Sequence, residues 1–307
     1  MAQVRITRIK ESSVASSRIY FVVSCARSGS TSLANILDTA AGGRCLVGPM
    51  PNFNAESRDL MEGRIVNPRA ILARDMMPRI AEALDQGQVY GEKNVTLGPF
   101  IPCLHEMLRC RFVFLTRDGR DVATSLMNWH NEAFGTIYRE CRDPGPLSKR
   151  AEGVAATLSI EDDTSDYSRP RPPPGDPLFA RWAGLSRFEM VSWYWNRINQ
   201  LYLDRLASIP DEDWIQIDYT NVSSRDIAAL FEFLELEGFD EGRTSEMLTR
   251  RINSVWDRFQ METRFPSWDR WDETTRRQFD RMALPMMKRL GYHQEGRLLE
   301  EPRKQTV

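Results

Sequence analysis

The chain has little of what a disulfide-linked, membrane-spanning or nucleic-acid-coating protein needs. Of its 307 residues only 5 are cysteine and none forms a CxxC pair, so we expect no disulfide framework and a reduced, cytoplasmic location. Lys and Arg total 41 against 43 Asp and Glu, a net charge of −2, which argues against nucleic acid as a partner. No apolar run approaches the roughly 20 residues of a membrane-spanning helix. Residues 1–17 are polar and lack the apolar core of a secretion signal.

Metal ligands are also scarce. The chain has 3 histidines, and one of them, His105, lies two residues after a cysteine, Cys103. Two ligands are too few for a zinc site, so we expect no bound metal. His105 shares a helical pattern with Leu104 and Leu108, which indicates a structural histidine.

What is present is the composition of a globular enzyme, with 41% hydrophobic and 27% charged residues. Ile19–Val23 is a short apolar run typical of a buried strand, and a small polar loop and a helical pattern follow it. Arg111–Thr116 begins a second unit of the same kind. Two strand–loop–helix units predict an α/β fold with a central parallel sheet flanked by helices, which we interpret as a single domain over residues 1–307. In such sheets ligands bind at the carboxyl ends of the strands, where both polar loops begin.

Other segments are assigned more briefly. Further strands are predicted at 89–93 and 214–219, and helices at 71–84, 191–206, 227–234 and 279–290, the first of them kinked at Pro78. Residues 44–68 are interpreted as a surface loop. Residues 140–178 are rich in proline and acidic residues, which indicates an irregular insertion or lid near the site.

The first polar loop has the chemistry of an anion site. Small residues at a helix N-terminus expose backbone N–H groups, hydroxyls add donors, and an arginine adds charge. The residues concerned are Arg27, Ser28, Gly29, Ser30, Thr31 and Ser32. The alternative is an ordinary turn with a Ser/Thr helix cap. No Lys follows Gly29 as the GxxxxGK[ST] motif requires, which weakens a nucleoside triphosphate interpretation.

The pattern resembles the sulfotransferases that use PAPS (3′-phosphoadenosine 5′-phosphosulfate). The segment Phe21-Val-Val-Ser-Cys-Ala-Arg-Ser-Gly-Ser-Thr31 is similar to the family's strand and its PKSGTT or GRSGTT loop. Arg117-Asp-Gly-Arg-Asp-Val-Ala-Thr-Ser125 is similar to its second signature, an Arg after a strand with a Ser eight positions on. Ile217-Asp-Tyr219 and Met287-Lys-Arg-Leu-Gly-Tyr292 resemble two later family segments. The fold implied is the P-loop NTPase-like sulfotransferase fold.

The resemblance implies roles for these residues. The first loop would hold the 5′-phosphosulfate, Arg117 and Ser125 the 3′-phosphate, and Tyr219 would lie near the adenine. Arg250 and Arg251 only approximate the family's basic C-terminal loop, and two solvated arginines are the alternative. Ser32 stands where cytosolic members often have an aromatic residue.

The implied reaction moves a sulfuryl group from PAPS to an acceptor hydroxyl, leaving adenosine 3′,5′-bisphosphate. Arg27 and Lys93 would offset charge in transfer, whereas Arg120 is interpreted as a surface charge. Cytosolic members place a basic His at the position of Val95, so the base must lie elsewhere. Glu56 is our choice, with His130 and Glu92 as alternatives.

The acceptor is expected to be a small-molecule or glycan hydroxyl, on a sugar, peptide or natural product, because the missing His argues against simple phenols. Two other functions remain open on the sequence alone. One is a P-loop kinase-like nucleotide phosphotransferase, and the other is a non-catalytic nucleotide-binding protein on the same fold. The sequence does not indicate an oligomeric state.

Overall fold

The computed structural model describes residues 18–61, 63–65, 67–129, 138, 170–250 and 265–293. In these residues one sheet has the order β2-β3-β1-β4-β5. Every neighbouring pair of strands is parallel. The strands are β1 (Ile19–Ser24), β2 (Gly43–Val47), β3 (Val89–Lys93), β4 (Arg111–Thr116) and β5 (Trp214–Asp218). The predicted α/β class with a central parallel sheet is confirmed.

Helices connect the strands and cover the sheet. They are α1 (Ser30–Leu37), α2 (Asn54–Met61), α3 (Pro68–Asp75), α4 (Met77–Asp85), α5 (Ile101–Leu108), α6 (Gly119–Met127), α7 (Arg187–Leu206), α8 (Ser224–Phe233), α9 (Glu241–Thr249) and α10 (Glu273–Arg289). In the described part of the chain, no helix is both long enough and apolar enough to cross a membrane.

Both faces of the sheet are buried, which explains why its central strands read as unbroken apolar runs. Phe21 on β1 stacks with Phe112 on β4, on the face covered by α4, α5, α6 and α7. Val22 and Val113 lie on the opposite face, under α1 and α8. Burying each such side chain contributes roughly 1.5–3 kcal/mol. Every residue of β1 and all but the first of β4 are buried, so the two strands that carry the polar loops lie in the core.

The interpretation of residues 44–68 as a surface loop is wrong. This segment contributes β2, an edge strand that pairs with β3 alone, and the helix α2. The strand is short and only Cys45 in it is buried, so it carries no alternating pattern by which the sequence could show it. The kink near Pro78 is confirmed, since α3 ends at Asp75 and α4 begins at Met77 with the proline in its first turn.

Most of the predicted insertion at 140–178 lies outside the described residues, so its role as a lid stays a prediction. Its end is described, and Pro170 and Pro172 are buried there. The hydroxyl of the buried Tyr138 donates to the carbonyl of Pro170 at 2.7 Å. The chain on either side of 139–169 therefore meets at one point on the protein.

The strand order defines where a ligand crevice lies. The chain leaves β1 toward β2 on one side of the sheet, and it leaves β4 toward β5 on the other side. Because β1 and β4 are neighbours, their two outgoing loops diverge and open a crevice at the carboxyl ends of these strands. The two loops are residues 25–29 and 117–118.

Candidate functional site

The loop from β1 to α1 presents backbone donors to this crevice. Ser28 N donates to Cys25 O at 3.3 Å, which tightens the turn. Arg27 has φ 69° and Gly29 has φ 91°, both in the left-handed region. Gly29 is the N-cap of α1, it has no side chain to bond the first-turn N–H groups, and that turn carries no acidic residue. The helix N-terminus is therefore open to an anion.

Three of the predicted residues meet at the crevice although they are far apart in sequence. Arg27 Nε donates to Ser125 Oγ at 3.0 Å. An Nη of Arg117 donates to the carbonyl of Arg27 at 3.3 Å. The loop after β1, the loop after β4 and the helix α6 thus form one hydrogen-bonded corner, which we call the arginine corner (Arg27, Arg117 and Ser125).

The charge of the arginine corner favours an anion. Burial, and then the neighbouring charge of Arg117, lowers the pKa of the Arg27 guanidinium to about 10, so the group stays protonated at neutral pH. Arg117 has Asp121 at 3.5 Å, a distance longer than a charge-assisted hydrogen bond. Burial raises the pKa of the Asp121 carboxyl above its ordinary value. Two cations held together beside one loosely paired acid gain electrostatic stabilisation from a bound anion.

Buried hydroxyl groups around the loop add to this. Within the described residues, the side-chain oxygens of Ser24, Ser28, Ser32 and Thr124 are buried and make no hydrogen bond. A buried hydroxyl without a partner costs about 1–3 kcal/mol, and a cluster of them calls for an explanation. A ligand rich in acceptor oxygens fits this chemistry, and the phosphate and sulfate groups of PAPS are such acceptors.

Tyr219 closes the loop from the β5 side. A Cβ at Gly29 would lie 2.3 Å from Tyr219 Cε1, so the ring rests directly on the glycine. Tyr219 N donates to Thr116 O at 2.8 Å, which continues the β4–β5 pairing by one residue. The ring is half-buried. Its proximity to an adenine stays a prediction.

The predicted residues on β3 divide into two environments. Lys93 is in register with Val22 at the carboxyl end of the strand, and its charge acts on the Cys45 thiol. Glu92 is fully buried on the other face and accepts from Arg79 at 2.8 Å and from the Tyr90 hydroxyl at 2.6 Å. These bonds occupy the Glu92 carboxylate and favour a structural role for it over that of a base.

The remaining candidates are not joined to the arginine corner by a described contact. Glu56 lies half-buried in the first turn of α2, where its charge acts on Arg74. Arg250 is exposed at the end of α9 and forms an ion pair with Glu246. His130 and Arg251 lie outside the described residues.

His105 and Arg120 both make structural contacts. His105 Nε2 lies 2.7 Å from Asp213 Oδ2, which fits the structural role expected for this histidine. Arg120 pairs with Asp118 and stacks over the Trp268 ring at 4.1 Å, the contacts of a partly exposed structural charge.

Sequence reasoning missed the residues of α7 that support the two loops. The Tyr194 hydroxyl accepts from Ala26 N at 3.4 Å. Trp195 Nε1 donates to the carbonyl of Arg117 at 3.2 Å, and a Cβ at Gly119 would lie 2.8 Å from its ring. The only signal in the sequence was the small size of Ala26 and Gly119, which allows these large rings to approach the loops.

No family model and no curated protein sequence matches the chain. Three solved structures that are similar to it are a bacterial sulfotransferase, a sulfotransferase domain and a mouse sulfotransferase. The one from Alicyclobacillus acidocaldarius is 16% identical, with 89% of this chain and 94% of that chain covered and a TM-score of 0.45. The sulfotransferase domain from the curacin biosynthetic pathway is 12% identical, with 90% and 98% covered and a TM-score of 0.44. A mouse sulfotransferase complexed with PAP is 11% identical, with 91% and 86% covered and a TM-score of 0.43.

Proposed function

We propose that the protein is a PAPS-dependent sulfotransferase that moves a sulfuryl group to an acceptor hydroxyl. The observation that carries the proposal is the arginine corner, where Arg27 and Arg117 meet Ser125 at the crevice between β1 and β4. An open helix N-terminus and buried, unpaired hydroxyls border the same corner. A ligand with two separate anionic groups matches two arginines on two different loops.

Different residues of the chain bind different groups of the donor. The backbone N–H groups and hydroxyls of residues 28–32 bind the oxygens of the phosphosulfate. Arg117 and Ser125 bind the 3′-phosphate, and the Tyr219 ring covers the loop beside them. When bound, PAPS supplies the sulfuryl group and a leaving group that departs as adenosine 3′,5′-bisphosphate.

Arg27 links the two anion subsites. Its guanidinium is held by Ser125 at 3.0 Å, while its backbone belongs to the phosphosulfate loop. Ser125 accepts this bond through its oxygen, so its O–H can still donate to an anion that Arg27 also binds. Arg27 thus stabilises negative charge on the donor from a position between the phosphosulfate loop and the residue that binds the 3′-phosphate.

Two further roles complete the proposal. Lys93, at the carboxyl end of the strand next to β1, offsets charge on the sulfuryl oxygens. Glu56, at the start of α2, takes the proton from the acceptor hydroxyl. The acceptor is a sugar, peptide or natural-product hydroxyl.

A kinase-like phosphotransferase is the alternative that the experiment must separate. We expect adenosine 3′,5′-bisphosphate to raise the unfolding temperature of the protein, and ATP with Mg²⁺ to raise it little, because the first loop has no lysine for a triphosphate. Arg117→Ala should weaken calorimetric binding of adenosine 3′,5′-bisphosphate by about 1.5–3 kcal/mol, the range of a hydrogen bond to a charged group.

Arg277→Ala is the matched control, since Arg277 is an exposed arginine on α10 that pairs with Glu273 one turn away on the same helix. It should bind adenosine 3′,5′-bisphosphate like the parent. Equal stabilisation by ATP and Mg²⁺, or parent-like binding by Arg117→Ala, would contradict the proposed donor site.

A further inference from the structure

A tyrosine near the end of the described chain reaches the base of the arginine corner. Tyr292 follows α10, and its position depends on Gly291, which has φ 77°. Gly291 N donates to Lys288 O at 3.2 Å and Tyr292 N donates to Met287 O at 2.9 Å. These two bonds and the left-handed glycine form a Schellman motif, which turns the chain back from the helix axis. The turn directs the Tyr292 ring toward the sheet.

The Tyr292 hydroxyl bonds to the last residues of two neighbouring strands. It donates to Asp218 Oδ1 at 2.6 Å, and it lies 3.1 Å from Thr116 Oγ1. Burial, with the bond to Asp218 adding to it, raises the pKa of the Tyr292 hydroxyl, so it stays a donor at physiological pH. One hydroxyl thus ties the carboxyl ends of β4 and β5 together.

The two residues that the Tyr292 hydroxyl contacts each come directly before a residue of the proposed donor site. Thr116 precedes Arg117, and Asp218 precedes Tyr219. The Asp218 carboxylate also accepts from Thr220 N at 3.0 Å and from Asn221 Nδ2 at 2.8 Å, so it anchors the backbone on the far side of Tyr219. The carboxylate therefore holds the backbone next to Tyr219, whose ring rests on Gly29.

The ring of Tyr292 also lies near a residue that holds the Arg117 loop. Its centroid lies 6.5 Å from that of Trp195, whose indole donates to the carbonyl of Arg117. The ring and the hydroxyl therefore act on the β4–α6 turn from two sides. Replacing only the hydroxyl separates its contribution from the packing of the ring.

We propose that Tyr292 is a positioning residue for donor binding, acting through Arg117 and Tyr219 and not by contact with the donor. The inference rests on the proposed function. Its test is Tyr292→Phe, which keeps the ring packing and removes the hydroxyl. We expect calorimetric affinity for adenosine 3′,5′-bisphosphate to fall about three- to tenfold, the effect of one lost hydrogen bond.

Tyr202→Phe is the matched control. The substitution also removes a hydroxyl from a buried ring, but this hydroxyl donates to the carbonyl of Val95 at 2.8 Å, in the segment after β3 and not in the loops after β1, β4 or β5 that are proposed to bind the nucleotide. This variant should lose a similar amount of thermal stability and bind the nucleotide like the parent. A further readout is the double variant with Arg117→Ala, in which the loss of affinity caused by Tyr292→Phe should be smaller than in the parent, because the part that acts through Arg117 is gone and only the part that acts through Tyr219 remains.

The outcomes distinguish this inference from the function on which it rests. If the parent does not bind adenosine 3′,5′-bisphosphate, both fail. If the parent binds and Tyr292→Phe binds equally well, or loses no more affinity than Tyr202→Phe, only the positioning role is overturned. An undiminished effect in the Arg117→Ala background would also overturn the route through Arg117.

Discussion

Arg27 combines two unfavourable features in a single residue. Its backbone is in the left-handed region, which is uncommon for a residue other than glycine, and burial with the nearby Arg117 lowers the pKa of its guanidinium. Strained backbone of this kind is concentrated at active sites and ligand-binding sites. An anionic ligand would offset the repulsion between the two guanidinium groups, which is the physical reason to expect thermal stabilisation by the donor product.

Glu56 is the proposed base, and a substitution at this residue tests that role alone. Glu56→Gln keeps the size of the side chain and removes the base. If Glu56 accepts the acceptor's proton, the variant should bind adenosine 3′,5′-bisphosphate like the parent and transfer about 10²-fold more slowly. The measurement is the single-turnover rate with an acceptor found by screening hydroxyl compounds.

Asp59→Asn is a suitable control for this test, because Asp59 lies on the same helix and pairs with Arg64. A Gln variant that retains more than about a third of parent activity would exclude Glu56 and make His130 the next base to test.

At the scale of elements, the candidate site is formed by two strand–loop–helix units together with the ring of Tyr219, which follows β5. The contact of Gly29 with the Tyr219 ring joins the first unit to β5, and Arg117 joins the second unit to the first. Because each loop is held by the neighbouring element, a change at one loop should be felt at the other.

Gly29→Ala tests this coupling. The new Cβ would lie 2.3 Å from the Tyr219 ring at a residue with φ 91°. Displacing the ring should destabilise the fold by about 1–3 kcal/mol, with about 1 kcal/mol more for the backbone strain. Binding of adenosine 3′,5′-bisphosphate should fall at least tenfold. Chemical denaturation and calorimetry measure the two effects.

Gly87→Ala is the control for backbone strain alone, because Gly87 has φ 76° and no atom within 4 Å of its Cβ position. It should lose only about 1 kcal/mol of stability and bind the nucleotide normally. Equal losses of stability in the two variants would show that the contact with Tyr219 contributes nothing.

At the scale of the whole molecule, the sequence predicts an irregular insertion or lid at 140–178, most of which lies between Tyr138 and Pro170. The two residues are joined by a hydrogen bond of 2.7 Å, so a short linker can replace residues 141–168. If the segment serves the acceptor, its removal should leave donor affinity within about twofold and reduce turnover of that acceptor at least tenfold.

Calorimetry with adenosine 3′,5′-bisphosphate and a transfer assay on the same preparation measure this. A deletion variant that does not fold would instead show that the segment packs into the core. Turnover equal to the parent's would show that it has no part in the reaction.

The single domain over residues 1–307 and the cytoplasmic location remain proposals that a stable, active whole chain expressed in a reducing cytoplasm would support.

Local patterns in the sequence were enough to predict β1, β3, β4 and β5, the parallel sheet, and the two loops that carry Arg27 and Arg117. Each of these follows from a short apolar run and the small polar residues after it, which act on the backbone within a few positions. Only the tertiary structure identified β2, because a half-exposed edge strand of five residues is specified by its partner and not by its own pattern. The same holds for the pairing of Glu92 with Arg79 and for the reach of Tyr292 to Asp218. These contacts join residues 13 and 74 positions apart. They depend on how helices and strands pack together, which no local pattern encodes.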